Sequence, residues 1–509
     1  MTITSYNPRT GQANGTVEEM SPHDVRAVVE RASSASSAVA AANPRQRRGW
    51  LHAVAAALVA NTPELVELGE LETALGDARL TAEVSRAAGQ LRFYGDVAAE
   101  GSYLAATIDH PTSTTPGLAR VNQPLGPVAV FGASNFPLAF GVLGNDFGSA
   151  LAAGCPVIAK AHPAHPLLSD HLAGLARTAL LSAGAPEGSL EMVIGHDAGV
   201  ALVQDEAVAA LAFTGSQAAG MALWRIANER RTVIPMYAEM STVNPVVVTT
   251  SAAATRMEEI AEGCVSSFTL GSGQFCTKPG LVFAPAGTAA AEAIGKALRH
   301  ASPQPVMLTE AIARSTTQGL EELMFGGARI VELIEASVDG WCAPAAVLEA
   351  RIDALQDRSR LLEECFGAVV VVVEYADIAE LAAAVDCLQG SLAASVFTAD
   401  EDDPDAAACL ALLSPKVGRL CANDWPTGVA YTWAQQHGGP WPSTSAPSAT
   451  SVGAAALDRF VRPVTYQSLK DEWLPPALQA ANPWRIPRRV NGALQLPGAS
   501  SSPYLMSPQ

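Results

Sequence analysis

The chain has 509 residues, of which 49% are hydrophobic and 16% charged, and a formal net charge of −18 at pH 7. That balance describes a well-packed protein of two or three domains and excludes a disordered one. The acidic surplus excludes nucleic acid or an anionic membrane as the main partner.

The opening MTITSYNPRTGQ has no basic stretch running into an apolar one, so no signal peptide is expected. Apolar runs are broken by Gly, Pro or charge before about 18 residues, so no membrane span is expected, and the cytoplasm is the expected location. Eight cysteines, at 155, 264, 276, 342, 365, 387, 409 and 421, stand singly. None forms a CxxC pair, which argues against a zinc or iron–sulfur site and a disulfide scaffold. No metal is expected.

Residues 21–104 read as helical: Asp24, Val25, Val28, Val29 and Ala32 share one face, and 50–59 and 63–75 repeat the spacing. Ser21-Pro22 and Thr62-Pro63 look like helix starts. The segment shows no chemistry and reads as scaffold. Residues 105–125, with Thr, Pro, Gly and isolated strand formers, suggest an extended hairpin. From 126 to 240 strands and helices alternate. Strands are expected at 127–132, 156–160, 190–195, 209–215 and 232–240, and helices at 142–153, 166–183, 198–204 and 217–229. This rhythm predicts an α/β fold with a parallel sheet that binds ligands at the carboxyl ends of its strands. Residues 241–439 read as a second α/β unit, with strands at 244–249 and 368–373 and the rest mostly helical. Residues 440–509, rich in Pro, Ser and Gly, read as an arm on the surface of this chain or a neighbour.

Several residues are candidates for chemistry. Gly271 and Gly273 lead the backbone to Cys276, either a reachable nucleophile with N–H donors for an oxyanion or simply a buried thiol. Gly215 and Gly220 bracket a strand-to-helix turn, which suits either a phosphate at the helix N-terminus or close packing. Lys160 closes an apolar strand, as a ribose contact or a surface lysine. Glu239, within VIPMYAEM, should have a raised pKa suited to a general base, or else be an ion-paired core glutamate. Asn135 could donate to an oxyanion or cap a turn. The histidines of KAHPAHP lack carboxylate partners and are weak metal ligands.

In order, SNFPL (134–138), the strand ending at Lys160, FTGS with Gly220, AEM (238–240), GQFC (273–276) and EECFG (363–367) resemble the motif series of the aldehyde dehydrogenase superfamily. The likeness runs from YNPRTG onward. KAHPAHP, LGSGQFCTKPG and HGGPWP (437–442) look like one branch, which holds bacterial α-ketoglutarate semialdehyde (2,5-dioxovalerate) dehydrogenases and NADP-dependent fatty-aldehyde dehydrogenases.

The resemblance implies a Rossmann-type cofactor domain (126–240, with 1–104 as its helical part), a catalytic domain (241–439) and oligomerisation through 105–125 and the 440–509 arm, giving a homodimer or homotetramer. It implies that Cys276 attacks an aldehyde, that Asn135 and the Cys276 N–H hold the oxyanion, and that Glu239 activates water against the thioester. Lys160 would meet the adenosine ribose, Ser216 the pyrophosphate, and Glu364 and Phe366 the nicotinamide end.

Three departures stand out. Pro163 occupies the position where NAD-preferring members carry a glutamate, so NADP is the favoured cofactor, with NAD possible. Ala368 replaces the usual proline after Phe-Gly, and HGGPWP replaces a common PFGG.

The expected reaction is oxidation of α-ketoglutarate semialdehyde. Phe140 and Leu143, implied to line the aldehyde tunnel, suit a fatty or aromatic aldehyde equally well, and a dicarboxylic semialdehyde would want a cation, for which Arg459 or Arg462 are candidates. An acylating member, a catalytically silent homologue and a cysteine hydrolase are the competing readings. The last lacks a histidine in a recognisable partner motif.

Overall fold

The computed structural model describes residues 2–240, 242–337 and 339–497. Four helices, Pro22–Ala41, Pro44–Ala60, Thr62–Thr73 and Asp77–Glu100, open the chain after a short hairpin. Ser21 caps the first through a reciprocal pair with Asp24, with Pro22 in the first turn, as expected. The third is capped differently. Asn61, not Thr62, precedes it and makes no capping bond, while the Thr62 hydroxyl donates back to Val59 O.

The first sheet has five strands in the spatial order Leu190–Val193, Val157–Lys160, Val128–Phe131, Ala210–Gly215 and Met236–Met240, with every neighbouring pair parallel. Its strands are apolar and buried on both faces, as helix-covered parallel strands must be. The chain starts at the middle strand, moves outward one way, then returns to build the other half. The crevice therefore opens at the carboxyl ends of Val128–Phe131 and Ala210–Gly215. The helix expected over 142–153 is shorter, Asn145–Ala153, because 132–144 runs as successive turns.

The second sheet corrects the expectation of a mostly helical remainder. It has seven strands in the order Arg329–Ile334, Ala345–Ala350, Val369–Tyr375, Leu281–Pro285, Pro245–Val248, Ser391–Phe397 and Val417–Ala422, parallel except for the first pair. Five were missed: runs such as LVFAP and SLAASVF are wholly buried, carry no polar alternation and resemble pieces of buried helix, while Arg329–Ile334 and Val417–Ala422 are half-buried strands at the two edges of the sheet.

A third sheet joins Val461–Gln467, Leu118–Pro124, Thr107–Asp109, Arg488–Val490 and Ala493–Gln495. The hairpin expected at 105–125 and the C-terminal arm thus pair with each other within one chain. The first part of the arm is not on the surface. Residues from His437 to Phe460 include fully enclosed side chains such as Ser443, Val452, Leu457 and Phe460. The segment covers the free edge of Met236–Met240: Met240 N–H donates to Ser443 O (2.8 Å) and Ser445 N–H to Ala238 O (3.1 Å). Residues 498–509 of the arm lie outside the described residues.

Candidate active site

A cavity of about 880 Å³ runs from Lys160 and Ser216, at the ends of the first sheet, to Cys276 and Arg86. The thiol arrives from the helix Thr250–Thr269 through three successive left-handed residues, Gly271, Ser272 and Gly273. At Gly273 (φ +72°) a Cβ would lie 2.2 Å from the carbonyl carbon of Gly367, so only glycine lets the 271–276 turn rest on the 363–368 loop. Thr316 Oγ1 pins that loop by donating to Phe366 O (2.7 Å).

Asn135, Glu239 and Cys276 all face the cavity. Asn135 Nδ2 donates to Gln274 O (2.7 Å), which fixes the amide plane and leaves its second N–H for a ligand. The Cys276 thiol is enclosed except towards the cavity. Burial, then the charges of Glu239 and Glu364, push its pKa well above that of an ordinary cysteine. It is a thiol at rest and needs a base.

Glu239 departs from expectation. Burial pushes its pKa up, but the charge and hydrogen bond of His437, with bonds from Cys276 and Ser451, outweigh burial and hold it below the ordinary 4.5. His437 Nε2 lies 3.1 Å from Glu239 Oε2 and 3.7 Å from Cys276 Sγ, and the imidazole is 1% exposed. The histidine that sequence reasoning found wanting is therefore present. Its signal was the HGGPWP motif, read as a branch marker and not as a side chain.

The helix Asp77–Glu100, taken as scaffold, forms a wall of the site. Arg79, Glu83, Arg86 and Gln90 share one stripe. Arg79 donates to Asn135 O (2.6 Å), Glu83 Oε1 accepts from Leu138 and Ala139 N–H (2.9 and 3.0 Å), and Gln90 donates to Ala139 O (2.7 Å). The stripe holds the turn that carries Asn135.

At the other end, Lys160, Gly215 and Ser216 line the cavity, and Glu364 and Phe366 line it as well. Burial pulls the Lys160 pKa down to about 8. Ser216 caps Gln217–Glu229 by accepting from Ala219 N–H, and its own O–H is left to donate outward. Gly220 does not line the cavity. It is a packing glycine, where a Cβ would meet Met240 Sδ at 2.7 Å. Pro163 lines the wall beside Lys160.

Three expected substrate contacts also need correcting. Phe140 lines the cavity, but Leu143 is fully buried in the core beneath it, because the turns before Asn145 point it inward. Arg459 is buried and paired with Asp146 (2.8 Å), and Arg462 is exposed on an outer sheet, so neither reaches the substrate. His162 and His165 stack on each other, and burial lowers the His165 pKa to about 4. Among the described residues, the one trio with ligand atoms all within 4.8 Å of one another is Glu239, Cys276 and His437.

A half-buried thiol between an amide donor and an ionised carboxylate, beside a sheet-end crevice suited to a nucleotide, defines an oxidoreductase acting on carbonyl groups. Residues 1–463 match the aldehyde dehydrogenase family model. The chain is 43% identical over 484 residues to alpha-ketoglutaric semialdehyde dehydrogenase 2 of Azospirillum brasilense, covering 92% of this chain and 91% of that one. It is 39% identical over 466 residues to an alpha-ketoglutaric semialdehyde dehydrogenase of Acinetobacter baylyi, covering 88% and 87%. Among solved structures, it superposes on a point mutant of an aldehyde dehydrogenase from Bacillus cereus with a TM-score of 0.79 at 22% identity, over 92% of this chain and 93% of that chain. The chain belongs to the aldehyde dehydrogenase family. No helix among the described residues is long and apolar enough to cross a membrane.

Proposed function

We propose that the protein oxidises α-ketoglutarate semialdehyde to α-ketoglutarate, with NADP preferred over NAD. The observation that carries the reading is the meeting of Cys276, Asn135 and Glu239 at one end of the cavity, in a chain 43% identical to a relative named for that semialdehyde. The sheet-end strand carrying Lys160 and the capped N-terminus at Ser216 suit the ribose and pyrophosphate of the cofactor. Lys160, with Pro163 and no acid from 161 to 166, suits a 2′-phosphate.

The chain's residues supply the following steps. Glu239 takes the Cys276 proton as sulfur bonds to the aldehyde carbon, and the Asn135 amide and Cys276 N–H hold the oxyanion. Bound nicotinamide supplies the hydride acceptor that turns the thiohemiacetal into a thioester. Glu239, its proton lost, then takes one from water. The hydroxide attacks the thioester carbon, the C–S bond breaks, Glu239 returns its proton to the departing Cys276 sulfur, and the acid leaves. His437 is a positioning residue, holding Glu239 ionised from behind. Assembly into a dimer or tetramer is supported by the third sheet, which leaves an edge of Val461–Gln467 and of Ala493–Gln495 unpaired within the described residues.

The test is a pair of variants. Cys276→Ala should abolish oxidation while cofactor still binds, and Glu239→Gln should let the thioester accumulate, detectable by mass spectrometry of the intact protein. Appreciable turnover by Cys276→Ala, or an unchanged steady-state rate in Glu239→Gln, defeats the assignment.

A further inference from the structure

The three buried or half-buried arginines around the site are balanced differently. Arg459 is paired with Asp146, and Arg79, which also donates to Asn135 O, shares the field of Glu83 with Arg86. Arg86, two turns further along the same helix, has no carboxylate within 4 Å among the described residues. Glu83 turns its Oε1 away to the Leu138 and Ala139 N–H groups.

The Arg86 guanidinium is nevertheless held firmly. It lies 5.2, 5.7 and 5.4 Å from the ring centres of Phe136, Phe140 and Tyr431, and Nη2 donates to Val429 O (3.1 Å). Nε is buried without a partner and closed off from the cavity, so an arriving anion would meet the Nη end of the fork. Arg86, Phe136, Phe140 and Val429 line the same cavity as Asn135 and Cys276, and the charge of Arg86 is felt at the thiol, where it opposes the carboxylates. A half-buried guanidinium held among rings, with no carboxylate beside it, is placed to gain from an arriving anion. Its planar fork fits a carboxylate.

We propose that Arg86 receives the distal carboxylate of the aldehyde substrate, orienting the aldehyde carbon towards Cys276. The apolar rings around it, which alone would suit a fatty aldehyde, then act as a low-dielectric collar that strengthens this one ionic contact. The proposal rests on the semialdehyde reading above and identifies the cation that reading requires.

The experiment compares α-ketoglutarate semialdehyde with pentanal, which has the same number of carbons and no charge, in the wild type, Arg86→Met and Arg86→Lys. The expected result is a fall on the order of 100-fold in the ratio of kcat/KM values in Arg86→Met, carried by KM for the semialdehyde, with part of it recovered in Arg86→Lys. A ratio unchanged in Arg86→Met, with both substrates falling together, overturns the assignment. A wild type that does not prefer the semialdehyde to pentanal defeats instead the substrate reading beneath it. Should Arg86→Met not fold, phenylglyoxal labelling of the wild type, mapped by peptide mass, decides. Protection of Arg86 by glutarate supports the proposal, and labelling of Arg86 unaffected by glutarate overturns it.

Discussion

His437 Nε2 stands 3.1 Å from Glu239 Oε2, with both side chains almost fully enclosed, so the imidazole and not the solvent sets the charge of the carboxylate. Without it, burial would leave Glu239 protonated to a higher pH. In His437→Gln the Glu239 pKa should rise, and the acid limb of the kcat/KM profile should move up by about one pH unit or more. The wild-type carboxylate, held below 4.5, is ionised across the neutral range, so its contribution is lost only as pH falls through that depressed value. An acid limb that stays in place would show that His437 does not govern Glu239.

The stripe on Asp77–Glu100 predicts an effect from a residue that does not line the cavity. Glu83→Ala leaves the Leu138 and Ala139 N–H groups without their acceptor, a cost of about 2–4 kcal/mol. Because that turn carries Asn135, kcat should fall more than the stability loss alone would cause. Chemical denaturation and steady-state kinetics on the same variant separate the two.

Gly273→Ala should be far worse than a glycine substitution at another left-handed position. At 273 a Cβ meets backbone at 2.2 Å, while at Gly287 (φ +78°) it meets nothing within 4 Å. Expected losses are roughly 2–5 kcal/mol for Gly273→Ala and about 1–2 kcal/mol for Gly287→Ala. The two denaturation midpoints check the difference, and equal losses would remove the argument from close approach.

Lys160 gives a pH signature for cofactor choice. With its pKa near 8, it is a cation below that pH and neutral above it. If it meets the 2′-phosphate, KM for NADP should climb as pH rises through about 8 while KM for NAD changes less. Lys160→Met should show the raised NADP KM at every pH. Parallel profiles for the two cofactors would dissociate Lys160 from the phosphate.

The first sheet was legible in the sequence because its strands alternate with amphipathic helices, and Cys276, Asn135 and Glu239 stood in recognisable strings. What escaped was set by tertiary contact. The strands at 281–285 and 391–397 have no polar face to mark them. Arg79, Glu83 and Arg86 look like ordinary surface charges on a helix until the turn at 135–140 packs against them. The Glu239 pKa was expected to shift the wrong way because its opposing charge comes from 198 residues further along the chain, at His437.

The threading of residues 437–460 past the strand Met236–Met240 has a consequence for how the protein is made. The nucleophile and its neighbouring carboxylate leave the ribosome well before the histidine that holds that carboxylate ionised. The strand Val461–Gln467, which anchors the threaded segment to Leu118–Pro124, emerges later still. A nascent chain therefore carries an incomplete centre until all but roughly the last tenth of it has been translated, and a premature stop between Cys276 and that point yields a product with the thiol but without competence.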